Sequence, residues 1–584
     1  MSNQALQPDR LDYRVGHLGL PGSYDFWSWT RRVAWATENI ARLRNLGFNT
    51  VQLNVAWGAR PGDEPLNLED VVALTSEQDA LYPQPVPLRS SADPGRWDQR
   101  RADLRARIEL CKAAGMRTLF HFGAPYNAHA RYGDNPPNCI SDPGVAKRYR
   151  LLIHAFVRDF PGVDDLHLYT YDQDAWLCSE FGDCPRCSGV PLSRRLAPFL
   201  DRLAAAWREV NPAGRLWWEP WELSAGQALA CVEAVNPDGF GLALHTNIGE
   251  CMQTIVADRW FRNMAALAQH RGIPVIGEYF LGAGTEETEP LTHLAHPLVT
   301  LRGLKALGAV PGLRGIKEYY GLAPEKEDPN LLATSLFFEN PDIGEEEALT
   351  RLSAPYGPAA ESITRFWRLT SEGMELFPWE VSWYIRQIGR SAVDHSLSAA
   401  MIHGQQCSTP SWDSTRHGVF MKVDDRQPHP WMLEDIQVRC ELAVARWRDA
   451  EAVGASIHAS VPPNLAGSLT ENLRDLASLR RRAIAYACHL RETNLAAVAR
   501  RHLDTHPEVA NRAANELLAV LIADRDNWSE EVESNTGLPG TANKWPEIHL
   551  AIEALEHDLP TFLDTYLLEK PYAMSKGAFS LTSR

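Results

Sequence analysis

From about residue 15 to residue 325 the chain repeats one pattern of apolar and polar positions. Stretches with apolar residues three and four apart, flanked by charges, alternate with short continuous apolar runs that end in polar and aromatic side chains. The first kind predicts helices over Thr37 to Asn45, Arg101 to Ala114, Ala146 to Asp159 and Leu196 to Val210. The second predicts strands over Arg14 to Leu20, Thr50 to Trp57, Arg117 to Phe122, Asp165 to Tyr171, Arg215 to Glu219, Gly239 to His245, Ile273 to Glu278 and Leu313 to Tyr319. Gly47, Gly115, Gly214, Gly272 and Gly308 stand where helices must stop before the next strand. Eight strands alternating with helices imply parallel pairing through right-handed crossovers, hence an α/β chain with a (β/α)8 TIM barrel. The alternative, a doubly wound open sheet, lacks its Gly-rich phosphate loop after the first strand.

Beyond about residue 345 the strand signals fade, and Leu433 to Ala455, Leu469 to Arg501 and Asn511 to Val532 read as long helices. Residues 1–340 are therefore expected to form the barrel, and residues 341–584 a mainly α-helical domain that supports it or joins copies into a homo-oligomer. Gly404 to Pro430 and Ser534 to Trp545 read as loops, the former as a lid or a subunit contact. His293 and His296, among Glu286, Glu287 and Glu289, read as a solvated loop.

Of 584 residues, 45% are hydrophobic and 23% charged, as in an ordinary globular protein. The net charge of −16 argues against a nucleic-acid partner, which needs a basic face. The polar first ten residues, the lack of an apolar run of about 18 residues and the scattered cysteines predict no membrane span and a cytoplasmic, reducing setting.

A barrel does its chemistry at the C-terminal ends of its strands. Those ends carry Asn54 and Trp57, then His121, then Asp172, Asp174 and Trp176. Further on stand Trp218, Glu219 and Trp221, then His245, Glu278, and Glu318 with Tyr319. Two carboxyl groups facing one another across a sugar are the minimum for hydrolysing a glycosidic bond, and aromatic faces stack on pyranose rings. With 19 Trp in the chain, a carbohydrate site is the expectation, and a sugar-binding barrel without catalysis is its rival. Lys317 is turned by strand alternation away from Glu318, which leaves no basic residue placed for a substrate carboxylate.

The strand Gly272-Ile-Pro-Val-Ile-Gly-Glu278-Tyr-Phe resembles the nucleophile strand of clan A glycoside hydrolases, retaining (β/α)8 enzymes. The resemblance implies Glu278 as nucleophile and an acid/base at the end of strand four, where Gln173-Asp174 stands in place of the clan's Asn-Glu. Asp172 and Glu180 are the alternative acids, and an inverting course stays open with them. Glu278-Tyr-Phe-Leu-Gly282 and the helical second half are more loosely similar to the inverting family 67 α-glucuronidases.

Cys178, Cys184 and Cys187 crowd into ten residues after strand four and fit three corners of a tetrahedral zinc site, with Cys139 the fourth in space. Reduced loop thiols are the alternative. The layout is similar to that of family 42 β-galactosidases of the same clan, which implies one structural zinc and no organic cofactor.

Overall fold

The computed structural model describes residues 11–19, 33–54, 67–73, 75–79, 94–127, 136–170, 175–220, 223–245, 254, 256–285, 287–288, 291–324, 327–379, 430–533 and 541–565. Eight parallel strands close into a barrel in chain order. They are β1 (Tyr13–His17), β2 (Thr50–Gln52), β3 (Arg117–Gly123), β4 (Asp165–Tyr169), β5 (Leu216–Glu219), β6 (Phe240–His245), β7 (Val275–Tyr279) and β8 (Leu313–Glu318). Closure is made by β1 lying beside β8, with Val15 opposite Lys317 on one side and Thr50 on the other. Each strand is covered on both faces, which is why it reads as a nearly continuous apolar run.

The connecting helices include α1 (Thr37–Asn45), α2 (Leu68–Val71), α3 (Ser76–Asp79), α4 (Pro94–Ala113), α5 (Pro143–Asp159), α6 (Ser193–Val210), α7 (Ala225–Ala234), α8 (Arg259–His270), α9 (Pro297–Gly308) and α10 (Pro329–Glu339). Their starts carry local caps. Asp142 Oδ1 accepts from Gly144 N at 2.8 Å, Asp258 Oδ1 from Phe261 N at 2.7 Å, and Ser224 with Gln227 forms a capping box. Gly115 ends α4 at φ +70°, a left-handed conformation that a side chain disfavours.

Inside the barrel the strand period of two builds layers. Val15, Leu119, Trp217 and Ile276, from β1, β3, β5 and β7, form one apolar layer. This is the barrel habit of taking four side chains from alternate strands. Trp217 fits because β6 carries Gly241 beside it. A Cβ there would lie 2.3 Å from the indole. Below, the Arg117 guanidinium pairs with Asp165 at 2.7 Å, and Asp165 also accepts from Arg215 N at 2.7 Å.

The chain divides into two compact units: residues 1–282 with 300–345, and residues 283–299 with 346–584. The second contains α11 (Glu345–Ser353), α12 (Ala360–Leu376), α13 (Pro430–Ile457), α14 (Pro463–His502), α15 (Pro507–Glu533), α16 (Thr541–His557) and α17 (Leu559–Thr565). Its core joins Ala485, Leu517, Leu521, Trp528, Ile548 and Phe562. α16 begins at Thr541, inside the stretch expected to be loop, while residues 404–429 lie outside the described residues.

Glu286 and Glu289 lie outside the described residues, and the described part of the segment 283–299 is not a solvated loop. His296 is fully buried, and His293 donates its backbone N–H to Asp475 Oδ2 at 2.9 Å, while Asn472 donates to its carbonyl at 2.6 Å. α14 supplies the polar partners that water was expected to supply. Among the described residues no helix is long and apolar enough to cross a membrane.

Candidate active site

Two residues beyond the apolar layer, the same four strands present His17, His121, Glu219 and Glu278. The intervening strands add Gln52, His167, His245 and Lys317 at the same end. All eight are at most 3% exposed. The period that points Trp217 and Ile276 inward therefore points two carboxyls inward at the next step.

The contacts are close. Lys317 Nζ lies 2.8 Å from Glu278 Oε1, and His245 Nδ1 lies 3.2 Å from Glu278 Oε2. His167 Nε2 lies 3.4 Å from Glu219 Oε2 and 3.7 Å from Glu278 Oε1. His121 Nε2 lies 3.5 Å from the same Glu219 oxygen, and its ring stacks on His167 at 4.5 Å. Glu219, His245 and Glu278 each turn a ligand atom within 4.8 Å of the others.

Burial works to raise the pKa of Glu278. The Lys317 charge, foremost among its neighbours, outweighs it and holds the carboxyl down at about 2. Burial and the Lys317 charge drive His167 the other way, to about 3, so its imidazole is neutral. The arrangement thus contains one firmly ionised carboxylate beside a second carboxyl, an oxygen of each within 4.8 Å of the other.

Supports beneath these groups are also polar. Asn54 grips β3 from both sides of His121, accepting from its N–H at 2.9 Å and donating to its carbonyl at 2.7 Å. Gln52 donates to the Asn54 carbonyl at 2.8 Å and presents Oε1 to His167 Nδ1 at 3.4 Å.

Among the residues expected at the site, His121, Glu219, His245 and Glu278 come together. Tyr319 packs its ring 5.4 Å from that of His245. Glu318 faces away from them and accepts the backbone N–H groups of Leu281, Tyr320 and Gly321 at 2.7 to 2.8 Å. Burial pushes it up to about 7 against those bonds. Trp218 is fully buried on the outer face of its strand, donating to Thr170 Oγ1 at 3.0 Å. Trp176 is half-buried, and its carbonyl accepts from Asn127 at 2.8 Å. Trp57, Asp172, Asp174 and Trp221 lie outside the described residues. His167 and Lys317 were not expected at the site. Both lie inside their strands, and the signal that finds them is the parity they share with Glu219 and Glu278.

The four expected cysteines do converge. Cys139, Cys178, Cys184 and Cys187 are buried, with their Sγ atoms within 4.8 Å of one another. Cys139 Sγ lies 3.2 Å from Cys187 Sγ and 3.9 Å from Cys184 Sγ. Hydrogen bonds within the cluster, led by that of Cys178, overcome burial and lower the Cys139 thiol to about 5. Arg195 fixes the Cys178 carbonyl at 2.9 Å, and Asn138, next to Cys139, is tied to Asn127 and Tyr126.

No family model matches the sequence, and no curated protein matches it. Among solved structures, a GH138 enzyme targeting pectin rhamnogalacturonan II is similar with a TM-score of 0.60 at 11% identity, over 95% of this chain and 68% of that one. A Prevotella bryantii endo-beta-mannanase/endo-beta-glucanase is similar with a TM-score of 0.36 at 12% identity, over 58% of this chain and 50% of that one. At such identities the likeness is one of fold. The GH138 likeness agrees with the expected TIM barrel and does not reach families 42 or 67.

Proposed function

We propose that the protein is a glycoside hydrolase in which Glu278 attacks the anomeric carbon and Glu219 carries the proton to and from the glycosidic oxygen. One observation carries this: two inward carboxyls, from β5 and β7, lie within 4.8 Å, with an ammonium group on one of them. The Lys317 charge keeps Glu278 an anion ready to form a covalent bond, and Glu219, the carboxyl beside it, is the group that supplies the proton. Departure of the leaving group takes that proton. Glu219 then receives one from the water that frees the sugar. So short a separation leaves no room for a water between the carboxyls, which favours the retaining course over an inverting one. The GH138 neighbour, named for a pectin target, lends support to a carbohydrate substrate.

Asp174 remains the rival acid/base through the clan A resemblance. Aryl glycosides assayed with the Glu278→Gln, Glu219→Gln and Asp174→Asn variants separate the roles. Glu278→Gln should abolish turnover on every substrate. Glu219→Gln should lose activity on alkyl glycosides while keeping much of it on glycosides with strongly acidic phenols, which depart without a proton. Unchanged turnover in Glu278→Gln would overturn the assignment, and the leaving-group pattern in Asp174→Asn instead would move the acid to strand four.

The cysteine cluster fits one structural zinc ion. Zinc–sulfur bonds of about 2.3 Å at tetrahedral angles place sulfurs roughly 3.8 Å apart, which the 3.9 Å between Cys139 and Cys184 matches, while the 3.2 Å between Cys139 and Cys187 would have to open. Bound there, zinc would supply cross-linking and no chemistry. Cys139, Cys178, Cys184 and Cys187 would hold the segments after β3 and β4 together.

A further inference from the structure

We propose that His121, His167 and Glu219 form a second metal site, one that takes a divalent transition ion such as Zn2+ through two imidazole nitrogens and one carboxylate oxygen. The three donor atoms come from adjacent strands β3, β4 and β5, and all three residues are fully buried. Both Nε2 atoms converge on one oxygen, Glu219 Oε2, at 3.5 and 3.4 Å. Bonds of about 2.0 to 2.1 Å at tetrahedral angles place neighbouring N and O donors roughly 3.3 to 3.4 Å apart. The spacing of the side chains is therefore that of an ion's coordination edges. It is longer than a good hydrogen bond.

The orientation of His167 is fixed by its neighbours. Gln52 spends its amide N–H on the Asn54 carbonyl, so its Oε1 is the atom offered to His167 Nδ1. A ring proton on Nδ1 would face Gln52 Oε1 and leave the Nε2 lone pair facing the carboxylate oxygens. With Glu219 ionised, acceptor would face acceptor across 3.4 Å, and a cation would take the place of the proton that the hydrolase reading puts there. Gln52 is thus a positioning residue for the site. Lys317 does not compete for this corner, since its Nζ lies on Glu278 Oε1, an oxygen of the other carboxyl.

The consequence rests on the hydrolase proposed above. An ion on Glu219 Oε2 takes the lone pair that must carry the proton, so the metal would inhibit. Zinc content of the full-length protein, equilibrated with zinc and desalted, tests the site without any substrate. Wild type should hold one zinc ion per chain more than His167→Ala and than His121→Asn, whatever the cysteine cluster binds. Gln52→Ala should keep the ion but bind it about 10- to 100-fold more weakly. In cobalt-loaded wild type, an ion lacking the thiolate charge-transfer band should accompany any ion that shows it. The same metal content in wild type and both histidine variants, or cobalt bound through thiolates alone, overturns the proposal. If the ion binds and no glycosidase activity is found, only the inhibitory consequence falls.

Discussion

Lys317 and Glu278 form a fully buried ion pair at 2.8 Å, reaching across from neighbouring strands β8 and β7. An ammonium group placed this close determines the charge of the carboxylate. Without it, burial would hold the proton on to a higher pH.

Lys317→Met therefore raises the pKa of Glu278 from about 2. Loss of an opposite charge at this range is worth about 1 to 3 units. The anion is then lost at a higher pH, so the acid limb of the kcat/KM profile should move upward by that amount. An acid limb that stays in place would remove Lys317 from the electrostatics of the site.

The apolar layer beneath the site should be costly to open. Trp217→Ala leaves a cavity among Val15, Leu119 and Ile276, and its expected cost is about 3 to 5 kcal/mol. Gly241→Ala pushes a methyl group into the same indole and should cost about 1 to 3 kcal/mol. Denaturant midpoints of the two variants measure both. Because Trp217 and Gly241 touch, the double variant should cost less than the sum.

Glu69 gives a stability signature in pH. It is buried, receives the Tyr149 hydroxyl at 2.7 Å, and burial raises it to about 7. The folded state thus holds its proton more tightly than the unfolded state, whose glutamates titrate near a pKa of about 4.3. This stabilisation is complete below a pH of about 4 and is lost as pH rises through about 7. Glu69→Gln should lose less stability than wild type between those limits, as read from melting temperatures across the range. Parallel curves would mean that Glu69 is ionised in the fold.

Freshly purified protein should contain zinc at the cysteine cluster. Cys184→Ser should hold one ion fewer per chain and melt at a lower temperature. Equal zinc content in the two proteins would exclude the cluster as its ligand set.

Much of this was legible in the chain because parallel barrel strands are buried on both faces and announce themselves as apolar runs. All eight expected strands are present, and α1 runs from Thr37 to Asn45 as its pattern predicts. The site was legible only in part. Reading strand ends found Glu219, His245 and Glu278. It also gathered Glu318 and Trp218, whose parity turns them away from the interior. His167 sits mid-strand between two leucines and reads as core until the parity of β4 is matched to that of β5. Lys317 does turn from Glu318, as alternation requires, and the turn carries it to Glu278. Cys139 lies 48 residues from Cys187, and the sequence pointed to it only through the fourth corner that a tetrahedral zinc site would need, since periodicity carries no such signal.

The two stacked quartets make strand register a ruler for chemistry as well as for packing. Val15, Leu119, Trp217 and Ile276 stand one step below His17, His121, Glu219 and Glu278. A slip of one residue in β5 would bring Trp218 to the place of Glu219 and send a carboxylate into the apolar outer layer. A slip of two would keep every apolar side chain facing correctly and still put Trp217 where the acid belongs. The barrel could accept substitutions at either level, but an inserted or deleted residue within an odd-numbered strand would strike the fold and the inward polar quartet together. Changes of length are therefore confined to the segments between strands, where the chain can lengthen without moving a carboxyl.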